Sequence, residues 1–465
     1  MRDNRSVTKV VIIGGGPGGY EAALVAAQLG ANVTLIERDG IGGAAVLTDV
    51  VPSKALIAVA EAATDTKGSS VIGVHATNVS IDIAEVNARL KKWAATQSAD
   101  IQERLLSQGI KVLAGTAELV DAENVKVILQ DRTEINLAAE VVLLATGARP
   151  RELASAVIDG QRILNWKQLY EFTELPTDLI VVGSGVTGAE FAGAYQALGS
   201  QVTLVSSRDQ VLPGKDSDAA KVVQDVFAKR GMKVLSQSRA IQVTRSDSGV
   251  EVELETGEIV SGSHCLMAVG SLPNTEALGL ENVGVKTNDA GFIDVDKVSR
   301  TSVRGVYAAG DCTGVMMLAS VAAMQGRIAM WHALGDAVHP LNLETVSSNV
   351  FTDPEIATVG VSQSDLDSGN EIASVVNLPL ATNARAKMQG ISEGFVKIFC
   401  RSDTGVIIGG VVVAPKASEL IFPIALAVEH RLTVDQMSQT ITVYPSLSGS
   451  IAEAARQLHQ TQNLN

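Results

Sequence analysis

Cysteine is scarce: Cys265, Cys312 and Cys400 are the only three among 465 residues. Odd in number and far apart, they exclude a disulfide framework and a metal-ligand cluster, leaving buried structural thiols as their reading. Aromatic residues amount to 3% against 46% hydrophobic, so the core must be built from Ala, Val, Ile, Leu and Gly. A basic excess is missing too, since 37 Lys and Arg face 51 Asp and Glu for a net charge of −14. Sequence-independent binding of nucleic acid or of an anionic membrane needs a basic surface, and neither partner is expected. Uninterrupted apolar runs stop well short of the roughly 18 residues that read as a membrane helix. Ile407–Ala414 and Ile421–Val428 are typical of the longest, so no integral membrane segment is expected. The N-terminus, MRDNRSV, has charge but no cleavable apolar segment behind it, which points to a cytoplasmic protein. The six histidines show no metal spacing, and no metal is expected. At roughly 100 to 200 residues per domain, the length allows two to four domains.

What the chain does contain is a repeat. Val11–Glu37 (VIIGGGPGGYEAALVAAQLGANVTLIE) lies on Ile180–Ser206 (IVVGSGVTGAEFAGAYQALGSQVTLVS) with ten identical positions, among them Gly14/Gly183, Gly16/Gly185, Gly19/Gly188 and Glu21/Glu190. Each copy is a β-branched run, a glycine turn, an alanine-rich helix pattern and a second β-branched run, the signature of a dinucleotide-binding βαβ unit. The first glycine permits the tight turn, the second admits a pyrophosphate, and the third lets helix and strand approach closely. The helix N-terminus, opened in the first copy by Pro17, offers free N–H groups and positive dipole to the phosphates.

Two dinucleotide sites in one chain imply electron passage between two cofactors. Glu37 closes the first copy, where a carboxylate can accept hydrogen bonds from an adenosine ribose, and FAD fits there. The second copy ends on Ser206, Ser207 and Arg208. A carboxylate about 4 Å from a 2′-phosphate would cost roughly 4 kcal/mol at an effective dielectric near 20. Ser206 removes that cost, and Arg208 can bond the phosphate. NADPH use follows, alone or beside NADH; the alternative is a serine that tolerates either cofactor and an arginine that faces solvent.

Further segments resemble the flavoprotein pyridine nucleotide-disulfide oxidoreductases, the group of lipoamide dehydrogenase, glutathione reductase and mercuric reductase. VVLLATGARP (Val141–Pro150) is similar to that family's exit from the FAD domain and contains Thr146 and Gly147. TSVRGVYAAGD (Thr301–Asp311) resembles its second FAD motif, which assigns Asp311 to the ribityl chain. LASVAAMQGRIA (Leu318–Ala329) resembles the helix start facing the flavin, placing Leu318 and Ala319 there. Phe351–Ser362 and Gly409–Ile421 are similar to its dimerisation domain. The resemblance implies an α/β fold with two Rossmann-type domains, for FAD and NAD(P), and a C-terminal α+β dimerisation domain. Expected boundaries are 1–155 for the first FAD segment, 156–275 for NAD(P), 276–344 for a central segment returning to FAD, and 345–465 for the interface domain, with a polar tail HQTQNLN. The expected NAD(P) residues are Gly183, Gly185, Gly188, Glu190, Ser206, Ser207, Arg208 and Gly270. Lys54 and Glu190 match the family's pair beside flavin N5; a purely structural ion pair is the alternative.

Departures from that family carry the functional expectation. Where its disulfide reductases have GGTCLNxGCIPSK, this chain reads GGAAVLTDVVPSK over Gly42–Lys54, with Ala45 and Val50 at the two cysteine positions. The HPTxSE pattern, whose histidine the partner subunit contributes, becomes YPSLSGS, with Tyr444 for histidine and Gly449 for glutamate. A tyrosine with pKa near 10 cannot replace imidazole as a base, though it can donate a hydrogen bond. Dithiol chemistry is therefore absent by composition. The segments DGIGGAAVL, VGSGVTGAEF, TNARAKM and VYPSLSGS resemble the actinobacterial branch that acts as NAD(P)H:quinone reductases. Direct transfer from reduced flavin to a quinone is the expected reaction, with the acceptor against Ala45, Val50 and Tyr444 of a homodimer. Tyr444 either bonds a quinone oxygen or merely fills space. The rival readings are a pyridine nucleotide transhydrogenase, an NAD(P)H oxidase, and a non-catalytic flavin-binding partner.

Overall fold

The computed structural model describes residues 7–462. The first six residues of the charged N-terminus and the last three of the polar tail lie outside the described residues. The chain divides into two compact units. One gathers the segment through Ala55, Glu85–Arg151 and Gly270–Asn342; the other gathers Leu56–Ala84, Glu152–Val269 and the chain from Leu343.

The first unit is organised by a seven-stranded sheet in the order Val306–Ala308, Val141–Leu144, Lys9–Ile13, Asn32–Glu37, Lys111–Leu119, Asn124–Leu129, Glu134–Ala138. The first five strands pair in parallel and the last two add antiparallel. Parallel strands are covered on both faces, which explains continuous apolar runs such as VVII and VVLL. Helix Pro17–Gln28 follows the first strand and buries Ala22, Ala23 and Ala26 completely. Helix Ala319–Ala333 crosses it backbone to backbone. A Cβ on Gly326 would stand 2.0 Å from the Gly18 carbonyl oxygen, and one on Gly18 would stand 3.2 Å from the Ala322 oxygen. The Arg327 guanidinium pairs with Glu21 at 2.7 Å between the same two helices. Small residues thus set the helix spacing, and large aromatics have no room there.

In the second unit, a five-stranded parallel sheet runs Lys233–Leu235, Gln201–Val205, Asp178–Val182, His264–Met267, Ile163–Leu164. Helix Val186–Leu198 follows its central strand. The C-terminal part is a five-stranded antiparallel sheet in the order Ser348–Val350, Glu355–Gly360, Ile407–Ala414, Phe395–Arg401, Ala373–Pro379. Helices Phe422–Glu429 and Gly449–Gln462 contribute to its core through Ile424, Ala427, Ile451, Ala454 and Ala455. These are the two Rossmann-type sheets and the α+β C-terminal domain expected from sequence. Cys265, Cys312 and Cys400 are free and buried.

Among the described residues, one helical stretch, Gly43–Ile72, is long enough for a membrane span and contains an 18-residue window apolar enough for one, with a mean hydropathy of 1.5. It is alanine-rich, and its apolar runs are interrupted by Asp49, Lys54, Glu61, Asp65 and Lys67. Glu61 pairs with Lys416 at 2.7 Å and Lys67 donates to the Ala197 carbonyl at 2.8 Å, so charged side chains of this stretch meet protein.

A buried cation ties the start of helix Ser217–Lys229 to the antiparallel sheet within the second unit. Lys397, 1% exposed, places Nζ 2.8 Å from Asp216 and 2.6 Å from Asp218. Asp216 also caps helix Ser217–Lys229, accepting the Asp218 and Ala219 N–H groups. Removing the cation leaves a buried carboxylate uncompensated, which costs about 3–5 kcal/mol. Lys397→Ala should therefore lower stability by that amount in denaturant unfolding, and adding Asp216→Asn, which keeps a capping oxygen, should restore part of it. A Lys397→Ala loss under about 1 kcal/mol would contradict this account.

Candidate functional site: two dinucleotide-binding turns

The two glycine turns have nearly the same backbone. Gly14 and Gly183 take φ of +107° and +109°, and a Cβ on either would stand 2.2 Å from a carbonyl oxygen, of Ala145 or of Ala268. A Cβ on Gly19 or Gly188 would stand 1.8 Å from the oxygen of Gly14 or Gly183. Packing inside each unit forces these four glycines. Gly16 and Gly185 differ, because nothing lies within 4 Å of where their Cβ would be. They are the N-caps of their helices, and no side chain caps either one. Each helix start therefore faces open space with first-turn N–H groups available to an anion. That cradle fits a dinucleotide pyrophosphate.

The strand ends differ in charge. Glu37, half-buried, accepts the Gly15 N–H through Oε2 and the Asp39 N–H through Oε1, each at 2.6 Å. Ser206 is fully buried; its hydroxyl lies 2.7 Å from the Ser184 hydroxyl and accepts the Arg208 N–H at 3.1 Å. Ser207 and Arg208 are exposed. Gly270, with φ +95°, opens the return segment into the first unit, and its carbonyl accepts the Arg151 N–H at 2.9 Å.

Other expected FAD residues gather in the first unit. The Thr146 hydroxyl donates to the Asn274 carbonyl at 2.7 Å, and the Gly147 carbonyl accepts the Asn274 N–H at 3.0 Å. Leu318 is the N-cap of helix Ala319–Ala333, again without a side-chain cap. Ala45 and Val50 are half-buried on the helices Gly43–Leu47 and Val50–Gly68. Lys54 stands one turn beyond Val50, on the same helix face.

Glu190 and Tyr444 belong to the second unit. Glu190, 3% exposed, accepts the Phe351 N–H at 2.9 Å, a partner that sequence reasoning missed because it lies 161 residues away. Tyr444 is 83% exposed and stands beside exposed Ile441 and Val443. Its side chain is no part of this chain's own core.

Asp311 lies in the short turn after strand Val306–Ala308. Burial, and then the negative charge of Asp49, push its carboxyl up to about 6. A carboxylate in such surroundings suits hydroxyl donors, as a ribityl chain supplies. Asp49 was missed in the sequence, although it is the only acidic residue in the GGAAVLTDVVPSK frame. Since the native state favours protonated Asp311, its unfavourable contribution is absent below about pH 4 and complete above about pH 6. For FAD-stripped protein, Asp311→Asn should therefore gain stability over wild type above pH 6, by up to about 3 kcal/mol, and converge with it near pH 4. Denaturant unfolding across this range checks the prediction, and parallel pH profiles would refute it.

Comparison with known proteins accords with this geometry. The family model for pyridine nucleotide-disulphide oxidoreductases matches residues 8–326, and that family's dimerisation domain matches residues 346–455. An NAD(P)H dehydrogenase (quinone) from Mycobacterium tuberculosis is 55% identical over 99% of this chain and 95% of its own length. A dihydrolipoyl dehydrogenase from Haloarcula marismortui is 34% identical over 96% of both chains. The crystal structure of LpdA from Mycobacterium tuberculosis matches with a TM-score of 0.94 and 56% identity, covering 97% of this chain and all (100%) of that one. Two Rossmann-type units, paired glycine cradles and these matches place the chain in the pyridine nucleotide-disulphide oxidoreductase family, whose enzymes use FAD and NAD(P)H.

Proposed function

We propose that this enzyme is an NAD(P)H dehydrogenase that delivers electrons to a quinone without a redox-active disulfide. The observation that carries the reading is the frame GGAAVLTDVVPSK, in which Ala45 and Val50 occupy the cysteine positions while all three cysteines are buried elsewhere. The similarity to a quinone-type NAD(P)H dehydrogenase supports it. FAD, when bound, takes reducing equivalents from NAD(P)H and makes them available to an acceptor that has no thiol chemistry of its own.

The chain's residues then have the following roles. Gly14, Gly16, Pro17 and Gly19 cradle the FAD pyrophosphate, and Glu37 accepts from the adenosine ribose. Thr146, Gly147, Asp311, Leu318 and Ala319 hold the remainder. Gly183, Gly185 and Gly188 would hold the nicotinamide dinucleotide, and the family resemblance adds Gly270 to its binding residues. Ser206 leaves its strand end uncharged, and exposed Ser207 and Arg208 can meet a 2′-phosphate. Lys54, in the first unit, and Glu190, in the second, keep the roles that the family resemblance assigns them, polarising the flavin and positioning the nicotinamide. Ala45 and Val50 supply a small apolar wall against which a flat quinone stacks.

The matched dimerisation domain supports a homodimer, and 83% exposure of Tyr444 in the single chain suits a residue that completes the neighbouring subunit's pocket. Its hydroxyl donates to the quinone oxygen as charge develops there. Three free cysteines fit a reducing, cytoplasmic setting.

The test is oxidation of NADPH and NADH by the purified holoenzyme with no acceptor, a naphthoquinone, lipoamide or an NAD analogue. Naphthoquinone should stimulate turnover and lipoamide should not. Turnover with lipoamide would refute the argument from Ala45 and Val50, and equal rates with and without quinone would point to oxidase activity. Tyr444→Phe should lower quinone turnover roughly tenfold with nucleotide oxidation in single turnover unchanged. Unchanged quinone turnover would leave Tyr444 as a space-filling side chain.

A further inference from the structure

The repeat contains a second exchange that accompanies the loss of the strand-end carboxylate. The residue after the first glycine is Gly15 in one copy and Ser184 in the other. A Cβ on Gly15 would stand 3.1 Å from the Cβ, Cγ and Oε2 of Glu37, so the glutamate occupies the space a side chain there needs. In the second copy, the Ser184 side chain enters that space and meets the Ser206 hydroxyl at 2.7 Å, both residues being buried. One backbone group is held in both copies, the N–H two residues beyond the strand end, of Asp39 or of Arg208. Glu37 holds the N–H groups of Gly15 and Asp39; Ser206 reaches Ser184 and holds the N–H of Arg208. One volume at the strand end is filled either by glycine and glutamate or by serine and serine. Changing one partner alone leaves a close contact or a gap in a packed region, and both are destabilising.

We propose that Ser184 is a positioning residue for nicotinamide-cofactor specificity, acting through Ser206. The hydroxyl pair closes the strand end with a neutral, buried hydrogen bond, and it leaves no room for the carboxylate that would repel a 2′-phosphate. Conversion to a strict NADH site therefore needs both positions. This inference rests on the assignment of NADPH to the second dinucleotide site.

The experiment is a double-mutant cycle on the FAD holoprotein with Ser184→Gly, Ser206→Glu and the pair. Affinities for NADP+ and NAD+ are measured by calorimetry, and thermal unfolding is recorded for each variant. Ser206→Glu alone should lower the melting temperature and weaken both dinucleotides, because the introduced carboxylate meets the Ser184 side chain. Adding Ser184→Gly should restore the melting temperature and bring NAD+ affinity back to within a few-fold of wild type. NADP+ affinity in the double variant should stay on the order of a hundredfold or more below wild type. The two positions should couple by about tenfold in NAD+ affinity. If Ser206→Glu fails to fold, recovery of folding in the double variant supports the proposal equally. Additive effects on NAD+ affinity, or a double variant that does not fold, would overturn it. A wild-type protein that binds NAD+ but not NADP+ would overturn the NADPH assignment and this proposal with it. Additivity in a protein that binds NADP+ would overturn the coupling alone.

Discussion

Contact of backbone with backbone at the two glycine turns is the constraint on which the other features depend. The third glycine of each turn lies so close to the first that any side chain would stand 1.8 Å from a carbonyl oxygen. That closeness fixes where each helix starts relative to its strand, and the helix start presents N–H groups to open space at Gly16 and Gly185. The same principle sets the crossing of helices Pro17–Gln28 and Ala319–Ala333, where Gly326 rests on the Gly18 carbonyl. An aromatic content of 3% is the compositional trace of a scaffold whose elements meet at main-chain distance.

Given one scaffold twice, the side chains around it diverge. Glu21 and Glu190 occupy one repeat position, yet Glu21 pairs with Arg327 whereas Glu190 accepts a backbone N–H from Phe351. Glu37 and Ser206 likewise share a position and each holds the N–H two residues on, of Asp39 or of Arg208, one through a half-buried carboxylate and one through a buried hydroxyl. Charge at the strand end is thus adjustable without altering the turn, provided the neighbouring residue 15 or 184 changes in step.

In the proposed reaction, chemistry on the acceptor side is reduced to shape and polarity. Ala45 and Val50 present small apolar side chains on consecutive helices, with Lys54 one turn further on. Asp49 stands in the same frame and, together with burial, holds Asp311 in a regime where protonation is easy. Such a wall suits the proposed acceptor, which needs no thiol.

Much of the fold and both glycine turns were legible in the amino-acid sequence, because a dinucleotide fingerprint is a local pattern. Its glycines, flanking strands and helix lie within about 27 consecutive residues, and local sterics dictate the turn. Family resemblance and the replaced cysteines were legible for the same reason. Only tertiary structure decided how the polar side chains are satisfied. The Ser184–Ser206 hydrogen bond spans 22 residues, Glu190 to Phe351 spans 161, and Lys397 to Asp216 spans 181. Membrane-like hydropathy of Gly43–Ile72 was likewise qualified by distant partners for its charges, Lys416 and the Ala197 carbonyl. Hydrogen bonds and ion pairs act over about 3 Å of space regardless of separation along the chain, so their partners exist only once the sheets and helices have brought those residues together.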